Sequence, residues 1–158
     1  MTAYSAGLRV SELVNLRFND IDSQRMTIRV VDSKGNKDRY TILSSKLLKT
    51  LRNYYLCSKP ENYLFPSKDL EKKISTVTAQ RIYTKTKIKA KITKGKGIHT
   101  LLRHSFATHM YESGVDIRII QKLLGHKSIQ STLIYTHISH KLIEKVKSPL
   151  DSIEYDKI

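Results

Sequence analysis

Three stretches of this chain combine arginine, histidine and tyrosine, side chains that suit chemistry on a phosphate ester. Arg9 lies near the start of the chain, and His99 stands four residues before Arg103. Nine residues separate His126 from Tyr135. Guanidinium groups match phosphate oxygens in charge and geometry, and a tyrosine hydroxyl can be a covalent nucleophile once it is activated. These residue types therefore indicate attack on a phosphodiester without a metal ion.

Each of these residues also has a plainer interpretation. Arg9 is explained equally well as a surface side chain or as the structural partner of Glu12, three residues later. His99 and Arg103, taken alone, favour a solvated basic helix face. Tyr135 is one of nine tyrosines, and its phenol, with an ordinary pKa of about 10, is protonated at neutral pH. Packing is the ordinary role of a helical tyrosine.

Two further residues have two interpretations each, and a third has one. His126 follows a glycine at a helix end, where it is either a capping donor or a donor to a phosphate oxygen. Lys34, in a turn with Gly35, is either a surface lysine or a group that enters a DNA groove and protonates a leaving oxygen. His104 faces another side of its helix and is expected to be structural. The histidine spacing matches no zinc pattern, so we expect no metal site.

The composition indicates one basic globular domain. The chain has 158 residues, of which 39% are hydrophobic, and 29 Lys and Arg against 14 Asp and Glu give a net charge of +15. Such a charge favours a polyanionic partner, although it also aids solubility. Cys57 is the sole cysteine, which excludes an intramolecular disulfide and fits a reducing compartment. We expect a cytoplasmic protein, since no apolar run approaches the roughly 18 residues of a membrane span.

Periodicity and capping residues predict mostly helices with one β-hairpin. We expect the hairpin to join strands 26–31 and 40–43, and 94–97 to form a basic loop. The predicted helices are 8–16, 45–56 after a serine cap, 76–90, 99–112, one from Asp116 to Gly125, one after Ser128 that includes 133–138, and one at 140–146.

Five segments together resemble the tyrosine recombinase family, also called phage integrase-like. Residues 7–13 resemble its first arginine motif, and 33–39 resemble its lysine hairpin, with Lys34 at the catalytic position. Residues 102–109 resemble the second arginine motif. Residues 123–128 and 134–137 resemble the histidine and nucleophile segments. The likeness is greatest to bacterial chromosome-dimer-resolving and mobile-element integrases.

The resemblance implies a mainly α fold with a small antiparallel β-sheet, as a single catalytic domain over 1–158. It implies that Tyr135 attacks a DNA phosphorus and forms a 3′-phosphotyrosyl link. Arg9 and Arg103 would clamp the non-bridging oxygens, with Glu12 in support. Lys34 would be the general acid, and the histidines His99 and His126 would assist with protons and charge.

The resemblance also implies partners. We expect double-stranded DNA, a homo-oligomer (a tetramer) on that DNA, and association with the nucleoid. No cofactor is expected, because one phosphoester replaces another. The tail 139–158 is expected to dock on a neighbouring copy. The predicted DNA contacts are Lys37, Arg39, Lys94, Lys96, His104 and Lys127.

Two departures from the family leave alternatives open. The family usually places its histidine three residues before the second arginine, whereas His99 stands four before Arg103, as though a leucine had been inserted. The family's N-terminal DNA-clamping domain has no counterpart here, so we expect an N-terminally truncated chain. The alternatives to a recombinase are a catalytically impaired DNA-binding remnant and a type IB-like topoisomerase that acts alone.

Overall fold

The computed structural model describes residues 1–31, 38–68, 71–93, 97–136 and 148, and at residues 99 and 100 it describes the backbone alone. The helices in these ranges are α1 (Thr2–Ser5), α2 (Val10–Asn15), α3 (Ser45–Ser58), α4 (Thr76–Lys89), α5 (His104–Glu112), α6 (Ile117–Leu124) and α7 (Gln130–Leu133). None of them is long and apolar enough to cross a membrane. The predicted fold class, mainly helical with a small sheet, is confirmed.

The sheet has three antiparallel strands: β1 (Ile21–Asp22), β2 (Thr27–Val30) and β3 (Arg39–Ile42). β2 and β3 confirm the predicted hairpin, and their register pairs Val30 with Arg39. The turn between them, 32–37, lies outside the described residues. β1 was not predicted, because two residues are too few to show an alternating pattern.

The first predicted helix, 8–16, is wrong in its bounds. The chain forms α1, a turn in which Gly7 has φ 62°, and then α2. Arg9 is extended, with φ −70° and ψ 154°, so it precedes α2 at the N-cap position rather than lying inside the helix. The Arg9 side chain therefore leaves from the N-terminal end of α2.

The two longest helices begin at the predicted residues, and each has a serine cap, of which only the first was predicted. The Ser44 hydroxyl accepts a hydrogen bond of 3.2 Å from the backbone N–H of Leu47 and starts α3, and Ser75 starts α4 in the same way. Leu47 and Leu51 are buried, while Tyr55, expected on the same stripe, is exposed. Local capping chemistry was sufficient to fix where both helices begin.

The predicted helix 99–112 has two parts. His99–Arg103 form a π turn, and α5 continues from His104. A π turn closes its hydrogen bonds from i to i+5, so it holds one residue more than an α turn. The extra residue between His99 and Arg103 therefore lies within one widened turn, and α5 is regular.

The last described helices position the C-terminal motifs. Asp116 caps α6, since its side chain accepts a 2.7 Å hydrogen bond from the N–H of Arg118, and Gly125 ends α6 with φ 64°, as predicted. α7 is shorter than expected, so Tyr135 lies in the turn after it rather than in a helix. The helix predicted at 140–146 lies outside the described residues.

Two buried clusters meet at the start of the chain. One joins the sheet to α3 through residues such as Ile28 and Leu47. The other joins α5 to α6 through Phe106 and Leu124, and it includes Tyr135. A smaller third cluster links α1, α2 and α4. The N-terminal turn therefore lies between the sheet side and the helical side of the molecule.

Two left-handed glycines give a matched test of packing. We expect Gly114→Ala to cost about 1 kcal/mol of unfolding free energy, the strain of alanine at positive φ, because a Cβ at Gly114 meets nothing within 4 Å. At Gly125 a Cβ would lie 2.7 Å from Cδ of Arg39, so Gly125→Ala should cost about 1–3 kcal/mol more. Urea unfolding followed by circular dichroism measures both. Equal losses would contradict close packing of Arg39 on Gly125.

Candidate active site

The carboxylate of Glu12 organises the site. Because Arg9 is extended, its backbone N–H donates a 2.7 Å hydrogen bond to Oε2 of Glu12, which stands at the third position of α2. This is one half of a capping box, and it fixes the carboxylate at the N-terminal end of the helix. The side chain of Glu12 is only 11% exposed.

Three arginines from separate parts of the chain surround this carboxylate. Nη1 of Arg9 lies 2.8 Å from Oε1 of Glu12. Arg39 donates from both terminal nitrogens, at 2.8 and 2.9 Å, in a bidentate fork. Arg103 is more distant, with Nη1 at 3.6 Å. The Arg9–Glu12 pair considered from the sequence is thus present, as part of a larger cluster.

Arg103 is fully buried. The spacing of His99 and Arg103, taken alone, had favoured a solvent-exposed side chain. Its terminal nitrogens donate 2.6 Å hydrogen bonds to the backbone oxygens of Gly7 and Leu124. Its buried Nε has no acceptor among the described residues. Burial, together with repulsion from Arg9, lowers the pKa of Arg103 to about 10, so it stays protonated at neutral pH.

The cluster holds more positive than negative charge. Among the described residues, three guanidinium groups form ion pairs with the single carboxylate of Glu12. Burial alone would raise the pKa of Glu12, but hydrogen bonds and charge from Arg39, the backbone of Arg9 and the charge of Arg103 outweigh it and lower that pKa to about 2. The carboxylate is therefore ionised, and a positive surplus remains that an anion would neutralise.

Tyr135 lies against this cluster and is only 6% exposed. Burial raises the pKa of its phenol, and the opposing influence of Arg103 and Arg9 does not cancel that effect. The phenol is therefore protonated at neutral pH. As a nucleophile it needs a proton acceptor, and the two cations stabilise the phenolate that would form.

Two imidazole rings lie against the phenol ring. The His126 ring is nearly parallel to it, with centroids 6.5 Å apart, and His126 Nδ1 is hydrogen-bonded to the Thr132 hydroxyl at 2.9 Å. The His104 ring meets Tyr135 edge-on at 5.3 Å. Burial and the charge of Arg103 lower the pKa of His104, so its ring is neutral at pH 7.

These positions revise the expected roles of two predicted DNA contacts. His104, expected on another helix face, lies beside Tyr135, because the π turn precedes it and Tyr135 reaches back from the turn after α7. Arg39 is largely buried against Glu12 rather than on an open surface, with its side chain 14% exposed. Lys127, next to His126, is exposed, as a DNA contact should be.

The remaining predicted site residues are not placed. Lys34, Lys37, Lys94 and Lys96 lie outside the described residues, and His99 is described by its backbone alone. Within the described ranges, no three His, Cys, Asp or Glu side chains are grouped to bind a metal ion.

Sequence reasoning missed one supporting residue and the role of another. Thr132 is fully buried and holds the imidazole of His126. Arg39, predicted as a DNA contact, instead bonds Glu12, 27 positions earlier, and Leu123 of α6, contacts that no local pattern indicates. The sequence Arg39-Tyr40-Thr41-Ile42 has no alternation that would mark the inward face that Arg39 shares with the buried Thr41.

Fold and site together define a mainly helical domain that sets a buried tyrosine against a cationic cluster. Residues 1–141 match the phage integrase family. A tyrosine recombinase of Pseudothermotoga lettingae is 44% identical over 137 residues, which cover 85% of this chain and 46% of that protein. Tyrosine recombinase XerA of Pyrococcus furiosus is 40% identical over 154 residues, or 96% and 53% of the two chains. A crystal structure of XerA recombinase aligns with a TM-score of 0.80 and 38% identity, covering 90% of this chain and 53% of that one.

The chain therefore belongs to the phage integrase family, as its motifs predicted. It spans about half the length of the curated relatives that it matches.

Glu12→Gln should destabilise the protein in a pH-dependent way. Folding lowers the pKa of Glu12 from 4.5 to about 2, so its carboxylate stabilises the folded state above pH 4.5. That stabilisation, on the order of 3 kcal/mol, is lost as the pH falls through the interval between the unfolded and folded pKa values. The difference in unfolding free energy between wild type and variant should shrink across this interval. Urea titrations at pH 7, 4 and 3 measure it, and a constant difference would contradict the depressed pKa.

Proposed function

We propose that this chain is the catalytic part of a site-specific DNA recombinase that cuts and rejoins strands through a 3′-phosphotyrosyl intermediate. The observation that carries the proposal is the uncompensated positive charge beside a buried phenol. Arg9, Arg39 and Arg103 face one carboxylate, and two of them act on the pKa of Tyr135. Its relatives bear the names tyrosine recombinase and XerA, which supports the same conclusion.

A phosphodiester suits this charge surplus. It carries one negative charge and two non-bridging oxygens, and attack at phosphorus adds further charge to those oxygens. Arg9, whose side chain is 41% exposed, is open to such a ligand. Arg103 has a buried N–H without an acceptor among the described residues. Donors held in place before the reaction stabilise developing charge, and each is worth on the order of 10²-fold in rate.

In the proposed reaction, each bond that forms to phosphorus replaces one that breaks. The Tyr135 oxygen bonds to phosphorus, and the bond from phosphorus to the 5′-oxygen breaks. The phenol proton passes to an imidazole, for which His126 and His104, whose rings lie beside the phenol ring, are candidates, and His99 is a further one. Lys34 protonates the 5′-oxygen. A 5′-hydroxyl from a partner strand then reverses these steps, so one phosphoester replaces another and no energy source is consumed.

Basic side chains outside the cluster would hold the DNA backbone. Arg81, Lys85 and Lys89 are exposed on α4, and Lys127 is exposed beside His126. Lys37, Lys94 and Lys96 remain predicted contacts. Exchange between two duplexes cuts four strands, and each chain supplies one Tyr135. The proposal therefore includes four copies assembled on DNA, with a location at the nucleoid.

One observation favours a second candidate, a DNA-binding protein that no longer cuts. The π turn holds an extra residue between His99 and Arg103, and Arg103 is fully covered by its own chain. If these features prevent catalysis, binding would remain without covalent attachment.

The test is covalent capture. Nicked duplexes with a randomised centre are mixed with the protein, and DNA that stays attached after denaturation is sequenced. The nick lets the short cleaved strand diffuse away, so the 3′-phosphotyrosyl adduct accumulates. We expect wild type to give an adduct on a defined sequence and Tyr135→Phe to give none while still binding DNA.

The matched control is Tyr111→Phe, because Tyr111 packs on the same cluster as Tyr135. This variant should form the adduct at the wild-type rate. Binding without any adduct from wild type would select the non-cutting candidate. Relaxation of supercoiled plasmid without a preferred sequence would select a topoisomerase instead.

Binding should weaken steeply with salt. If 6–10 phosphates are contacted, affinity falls by about 10³–10⁵-fold between 50 and 200 mM salt. Fluorescence anisotropy with a labelled duplex measures this change. A flat response would contradict the proposed backbone contacts.

A further inference from the structure

We propose that Arg39 is a positioning residue that occupies Glu12 and braces the end of α6, so that Arg9 remains available to the phosphate. The inference rests on the proposed recombinase function. It replaces the expectation that Arg39 contacts DNA.

All three nitrogens of the Arg39 guanidinium are engaged by the protein. Nη1 and Nη2 donate to the two oxygens of Glu12, at 2.8 and 2.9 Å. Nε donates to the backbone oxygen of Leu123 at 3.0 Å. A planar fork can serve a carboxylate on one edge and a carbonyl on the other, whereas a lysine ammonium cannot reproduce this geometry.

The same side chain packs on the turn that carries His126. An added Cβ on Gly125 would lie 2.7 Å from Cδ and 3.0 Å from Nε of Arg39, so the arginine stem covers the glycine closely. His126 is the next residue, and Tyr135 stacks on its ring. Arg39 therefore links β3, the start of α2 and the end of α6 at one point.

Competition for Glu12 gives Arg39 its effect on chemistry. Oε1 of Glu12 lies 2.8 Å from nitrogens of both Arg9 and Arg39. The other carboxylate oxygen, Oε2, lies 3.6 Å from Nη1 of Arg103. Without Arg39, a largely buried carboxylate would have only Arg9 and Arg103 to neutralise it. Arg103 is held by the backbone oxygens of Gly7 and Leu124, so the partly exposed Arg9 is the side chain that would be drawn toward Glu12 and away from the ligand. Arg39 thus leaves Arg9 surplus to the carboxylate.

The experiment compares Arg39→Ala with Arg29→Ala. Arg29 is a matched control, because it lies in the same sheet and pairs with Asp20 at 3.0 Å, as a second arginine–carboxylate pair. Folding is checked by circular dichroism. We expect Arg39→Ala to slow adduct formation on the order of 10²-fold, because a small displacement of the reacting groups has an effect of that size. Arg29→Ala should leave the rate unchanged.

Salt dependence separates positioning from DNA contact. Losing a phosphate contact reduces the slope of log affinity against log salt by about 1. Arg39→Ala should keep the wild-type affinity and slope, whereas Lys127→Ala should lower the slope. A lowered slope for Arg39→Ala, or an unchanged rate of adduct formation, would overturn the proposal.

Two further variants guard against a purely structural effect. Arg39→Lys keeps the charge but not the fork, so its rate should fall between those of wild type and Arg39→Ala. Removing the carboxylate as well, in Arg39→Ala with Glu12→Gln, should recover part of the lost rate, because nothing then draws Arg9 away. A double variant slower than both single variants would contradict the competition.

A readout without DNA keeps this inference separate from the proposed function. Carbon-13 NMR of the Glu12 carboxyl should show its pKa rise from about 2 toward 4.5 in Arg39→Ala, with shifted amide signals at Gly125 and His126. If wild type forms no adduct, the proposed function fails, and these signals alone decide the role of Arg39. An unchanged Glu12 titration would then overturn it.

Discussion

A single carboxylate that cannot satisfy three guanidinium groups is the constraint on which this molecule depends. Glu12 is fixed by the backbone of Arg9 and held by the fork of Arg39, so it neutralises only part of the charge around it. Desolvation makes that imbalance costly, as the lowered pKa of Arg103 records. The protein tolerates the imbalance because the same cations act on the phenol of Tyr135.

The fold fixes the positions of these charged side chains. Arg103 ties α5 to the N-terminal turn and to the end of α6 through two backbone oxygens. The start of α2, the start of β3 and the end of α6 meet at this point. Apolar burial stabilises the elements on either side, and polar contacts set their relative position. Apolar packing thus stabilises the fold, and the arginine contacts set the relative positions of its elements.

Much of the fold followed from local rules, and most of the site did not. Caps at Ser44 and Asp116 and the left-handed Gly125 located three helix boundaries, because capping depends on neighbours within a few residues. The resemblance to the family's motifs predicted that Arg9, Arg103 and Tyr135 belong to one site. The burial of Arg103 and the reach of Arg39 depend on contacts between distant segments, which periodicity does not encode.

The π turn also bears on how this sequence tolerates change. In a regular helix, one added residue rotates everything beyond it by about 100°. Here Arg103 is locked to carbonyls on two other segments, so α5 keeps its orientation and the widened turn takes up the difference. We expect this turn to absorb one residue gained or lost before Arg103, because a π turn and an α turn differ in length by one residue. The hydrogen bonds to Gly7 and Leu124 would then keep the Arg103 guanidinium in the same position.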